Sequence, residues 1–79
     1  MDSKFGFEEL RKGMKARVAS VTSQGAETLR LMELGLTPGT EFTVTKIAPL
    51  GDPIEISLRG YRLCLRRKET KGILLEPVA

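Results

Sequence analysis

Few residues in this 79-residue chain can do chemistry, and their spacing matters as much as their identity. There is no histidine, which removes the commonest transition-metal ligand and the commonest general base. The one cysteine, Cys64, has no second thiol at zinc spacing and falls on the outer or sheet-facing side of a predicted strand. It reads as a small packing residue rather than a ligand or nucleophile. Glu8, Glu9, Glu27, Glu33 and Glu55 are scattered, whereas an oxygen-only metal site needs several converging ligands. Neither a Walker-type phosphate loop nor a dinucleotide fingerprint occurs. What remains is positive charge. Arg59, Arg62, Arg66, Arg67, Lys68 and Lys71 crowd into one late segment of a chain whose net charge is +3. Such a cluster suits an acidic protein partner, a phosphate or a nucleic acid, and it is equally the device by which strand edges discourage pairing. The expectation is a protein that is not an enzyme, holds no cofactor or resident metal, and acts through its surface.

The elements that carry these residues must be short. A chain of this length buries roughly 60% of its unfolded surface, so it is expected to form one domain over residues 1–79 without a deep cleft. No apolar run approaches the ~18 residues needed to cross a membrane. The N-terminus starts Met1-Asp-Ser-Lys and lacks an apolar secretory region, which together with a single cysteine predicts a cytoplasmic address.

The stretch from Leu29 to Gly39 organises the rest. Leu29, Leu31, Met32 and Leu34 sit among good helix formers, and Gly35 supplies a left-handed stop. A Schellman ending would fold Leu36 back on Leu31, and Thr37-Pro38-Gly39-Thr40 reads as a type II turn that launches a strand. The apolar residues of the helix, predicted over Ala26 to Leu34, point most of the way round the wheel. Part of Leu29, Leu31 and Met32 is therefore expected to face a partner, unless the N-terminal turn or a loop covers it.

Phe7-Glu-Glu-Leu10 reads as one helical turn lidding the core. From Met14 the period becomes two, and Val21 breaks the parity, as at a bend between sheets. Thr22 to Gly25 is a turn cluster. Glu41 to Ile47 and Ile54 to Leu58 alternate as strands, separated by the proline-braced loop Ala48 to Pro53. Arg59-Gly60 fits a hairpin turn into a strand through Tyr61, Leu63 and Leu65, with Arg62, Cys64 and Arg66 on the other face. One tight helical turn over Arg67 to Lys71 and a last strand from Ile73 to Pro77 finish the chain. The predicted class is all-β with short helices: a small five-stranded SH3-like barrel with a helix inserted between the first and second strands, an OB barrel being the nearest alternative.

In order and at compatible spacing, Phe7-x-x-Leu10-x-x-Gly13, Leu29 to Gly39, Ala48 to Pro53, Leu63-Cys-Leu-Arg-Arg-Lys-Glu69 and Ile73 resemble the FeoA family, ferrous iron transport protein A. Cys64 and Thr70 stand where that family more often has small residues such as alanine. The resemblance implies an SH3-like barrel and a cytosolic accessory role beside the FeoB ferrous-iron transporter, docked on its cytoplasmic GTP-binding domain without entering the membrane. On this chain the docking residues would be Leu29, Arg30, Leu31, Met32, Pro49, Leu50, Asp52, Arg59, Arg62 and Arg66. An exposed arginine acting on the GTPase site, and self-association, are further readings it leaves open. The competing classes are a basic nucleic-acid-binding barrel, which the scarcity of surface aromatics argues against, and a regulatory module of a metal-dependent transcription regulator.

Overall fold

The computed structural model describes residues 4–22 and 25–78. The elements follow the predicted order: strand β1 (Lys15–Val21), helix α1 (Ala26–Glu33), then strands β2 (Glu41–Ile47), β3 (Ile54–Leu58), β4 (Tyr61–Leu65) and β5 (Ile73–Pro77). Single 3-10 turns occur at Phe7–Glu9 and Arg67–Glu69. Ser23 and Gln24 of the expected turn, and Met1 to Ser3, lie outside the described residues.

The strands form one antiparallel sheet in the order β4-β3-β2-β1-β5. Period-two alternation sends one side chain in two inward, which is why Ile54, Ile56 and Leu58 of β3 and Phe42 and Val44 of β2 are buried. β1 obeys the alternation through Ala16 and Val18 and then loses it. The cause is a register shift against β5 between Val18 and Ser20, slightly ahead of the expected break at Val21. A second shift between Val44 and Lys46 bends β2 against β3. The Phe7 turn closes one end as expected, its ring stacking on Phe42 with centroids 5.8 Å apart.

Helix α1 ends as the glycine predicts. Leu36 N–H donates to Leu31 O at 3.0 Å and Gly35 N–H to Met32 O at 3.0 Å, the paired bonds of a Schellman cap. Leu31 and Leu36 are both fully buried, so the cap carries its apolar clasp. Gly39 then takes φ +92°, Thr40 N–H closes the turn on Thr37 O at 3.0 Å, and β2 begins.

Candidate functional site

Helix α1 turns Thr28 and Leu31 inward, as residues three apart on one face must. Leu31 is therefore corrected from a docking residue to a core residue: the Schellman clasp with Leu36 leaves it fully buried. Its neighbours fare differently. Leu29 is 48% exposed, Met32 half-buried and Arg30 exposed. Arg30 is also engaged, its Nη1 donating to Glu69 Oε2 at 2.9 Å. Thr28 Oγ1 donates to Lys71 O at 3.4 Å, so the helix leans on the Arg67–Glu69 turn rather than on the N-terminal turn.

The 48–53 loop has a fixed shape. Gly51 N–H donates to Ala48 O at 2.7 Å and Ala48 N–H to Pro53 O at 3.1 Å, around a cis Asp52–Pro53 peptide. Asp52 Oδ1 accepts from Arg67 N–H at 2.9 Å, and Arg67 Nε donates to Gly51 O at 3.0 Å. The Asp52 carboxylate thus holds the loop against the second 3-10 turn. Pro49 and Leu50 are held out at the tip, Leu50 at 96% exposure.

Of the three arginines expected to dock, Arg59 has a side-chain hydrogen bond and Arg62 and Arg66 have no ion pair among the described residues. Arg59 and Gly60 both have positive φ, 49° and 85°, the combination that a two-residue hairpin matching strand twist requires. Arg59 Nη2 reaches Thr40 Oγ1 at 3.4 Å, and Thr40 Oγ1 donates to Gly35 O at 3.0 Å. Tyr61 completes this corner, its hydroxyl donating to Leu34 O at the end of α1. Arg62 and Cys64 stand exposed on the solvent side of β4, and Arg66 is exposed just past its end, where its N–H donates to Glu69 Oε1 at 3.0 Å; neither arginine joins an ion pair among the described residues.

The expected residues thus gather in three places: the Leu29–Met32 flank of α1, the Pro49–Leu50 tip, and β4 with Arg66 just past its end. Thr28, Thr40, Tyr61, Arg67 and Glu69 hold these places in register. Their contacts between elements join residues far apart in sequence, 39 for Arg30 and Glu69 and 27 for Tyr61 and Leu34, and no local spacing signals them. Among the described residues no group of three or more His, Cys, Asp or Glu side chains could hold a metal ion. No helix is long and apolar enough to cross a membrane.

The family model of the FeoA domain matches residues 7–77. The chain is 32% identical, over 71 residues, to an Fe(2+) transport protein A/Fe(2+) transporter FeoB fusion protein of Porphyromonas gingivalis; the match takes in 90% of this chain and 8% of that protein's length. Among solved structures it resembles the FeoA protein of Chlorobium tepidum at 43% identity and TM-score 0.82, covering 95% of this chain and 71% of the other. It also resembles Stenotrophomonas maltophilia FeoA, solved with zinc and described as a prokaryotic SH3 domain protein, at 29% identity and TM-score 0.77, covering 91% of this chain and 89% of the other. At 15% identity a manganese-dependent transcriptional repressor shares the fold alone, with a TM-score of 0.83. The five-stranded sheet with its inserted helix is accordingly SH3-like rather than an OB barrel. With the motifs, the topology and the family model in agreement over nearly its whole length, the chain belongs to the FeoA family, which is linked to ferrous iron transport.

Proposed function

We propose that this protein is a cytoplasmic accessory of ferrous iron uptake that docks on the cytoplasmic GTP-binding domain of a FeoB-type transporter and modulates it. The observation that carries this reading is the Porphyromonas gingivalis relative, in which FeoA and FeoB are parts of one fusion protein. Segments joined in one chain work at a high effective concentration, so separate chains of the same kinds have reason to keep an interface.

The surface of this chain supports the reading. Leu29, Met32, Pro49 and Leu50 offer apolar area, and Arg62 and Arg66 offer unpaired positive charge. The described residues present no platform of exposed rings for stacking bases. Phe7 and Phe42 stack in the core, Phe5 packs against it, and Tyr61 is tied to Leu34. The test is association of the purified protein with the transporter's GTP-binding domain at physiological salt, together with GTP turnover and cellular iron uptake. Saturable binding, with a changed uptake rate in a deletion strain, is the expected result. No association and unchanged uptake reject the proposal, and turnover that does not respond to excess protein rejects a trans-acting arginine.

A further inference from the structure

The two outer edges of the sheet are finished differently. On β5, Phe5 N–H donates to Leu75 O at 2.9 Å and Leu75 N–H to Phe5 O at 2.8 Å, so that edge is bridged. On β4, no strand lies beyond it among the described residues. Leu58 and Tyr61 flank a two-residue turn, so Tyr61, Leu63 and Leu65 direct their backbone groups to β3, while Arg62 and Cys64 direct theirs outward. An unpaired row of this kind is a template for another extended chain.

The surroundings state which chain. Next to Cys64 an open groove of about 390 Å³ crosses to Ile47, Pro49 and Pro53, with Lys12 and Lys46 in its lining. Arg62 and Arg66 add two cations along the edge without ion pairs. The one carboxylate lining the groove, Glu55, already accepts the Thr45 hydroxyl at 2.8 Å. Two lysines and one carboxylate therefore line an apolar trough, with the Arg62 guanidinium beside it on the strand and Arg66 at the strand's end, next to Glu69. A second copy of this chain fits poorly, because antiparallel pairing of β4 on β4 sets two copies of the same cation-bearing edge side by side, and like charges oppose each other across paired strands.

We propose that the β4 edge is a strand-addition site for an extended acidic segment of a protein partner. The segment pairs with the outward backbone groups of Arg62 and Cys64 and seats an apolar side chain in the neighbouring groove. This rests on the docking reading for the partner's identity, but the edge is tested separately.

The probe is a blocked heptapeptide alternating glutamate and valine, with a lysine–valine heptapeptide as control, titrated into the isotope-labelled protein. The glutamate peptide should shift the Arg62 and Cys64 amides and slow their hydrogen exchange, while the lysine peptide should not. Cys64→Pro deletes one outward N–H, which an edge strand tolerates, and should weaken binding by roughly tenfold or more. As a second variant that leaves the backbone intact, Arg62→Glu combined with Arg66→Glu should weaken binding comparably while keeping a native amide spectrum. The proposal is overturned by diffuse shifts without protection at Arg62 and Cys64, or by unchanged affinity in a folded variant. It is also overturned if concentration-dependent protection of these amides appears in the protein alone, since the edge then takes a second copy. If the transporter domain binds wild type and both folded variants equally, the edge is excluded and docking stands. If wild type does not bind that domain, docking falls while the peptide titration still decides the edge.

Discussion

At Gly35 two constraints meet: a φ of +117°, and a Tyr61 hydroxyl 2.7 Å from where a Cβ would stand. Gly35→Ala should therefore cost about 2 kcal/mol or more, combining left-handed strain with the displacement of Tyr61 from the end of α1. Thermal unfolding should record this as a fall in Tm of about 10 °C, and a fall of less than about 3 °C would mean that the corner yields easily. Met32 asks a different question, because it is half-buried where Leu31 is fully buried. Met32→Glu should reduce affinity for the transporter domain by roughly tenfold while costing less than about 1 kcal/mol of stability, as surface changes do. Unfolding by this substitution would assign Met32 to the core with Leu31, whose truncation to alanine is expected to cost about 2–5 kcal/mol.

At the scale of elements, the legible parts were those whose cause is local. The Gly35 stop, the Pro38-Gly39 turn, the Arg59-Gly60 hairpin and the alternation of Ile54, Ile56 and Leu58 each follow from residues within a few positions of one another. The placement of α1 was less legible, because it depends on Arg30 with Glu69 and Thr28 with Lys71, contacts that exist only once the sheet has folded. Leu31 belongs with the local causes: helical spacing alone leaves Leu29, Leu31 and Met32 equally apolar, but the Schellman ending at Gly35 marks Leu31 as the clasp partner of Leu36 and so as a core residue, and the structure buries it. The 48–53 loop shows both kinds of cause, since its prolines and Gly51 were readable as a shaped loop but the clamp from Arg67 was not. Asp52→Ala removes the acceptor for Arg67 N–H and should cost roughly 1 kcal/mol. Faster hydrogen exchange at Gly51 and Arg67, with unchanged exchange in β1 and β2, is the expected signature of loosening confined to the loop.

For the whole molecule, charge and apolar area divide the work of docking. The net charge of +3 is modest, and among the exposed cations without an ion pair in the described residues are Arg62 on β4 and Arg66 just past its end, where a negatively charged partner would be drawn in. Raising salt from 0.1 M to 1 M shortens the screening length from about 10 Å to about 3 Å, so association with the transporter domain should slow markedly. Dissociation, governed more by Leu29, Met32 and Leu50, should change little. Stopped-flow or surface-binding kinetics across that range separate the two, and an on-rate indifferent to salt would remove Arg62 and Arg66 from the encounter.

The bridge between Phe5 and Leu75 has a topological consequence. It brings the beginning and the end of the described chain side by side, so a short linker can join them and the polypeptide can be cut elsewhere. A circular permutant opened between Pro49 and Leu50 would keep every strand pairing while severing the exposed tip. Such a molecule separates a tip that partners merely touch from one whose covalent continuity they require.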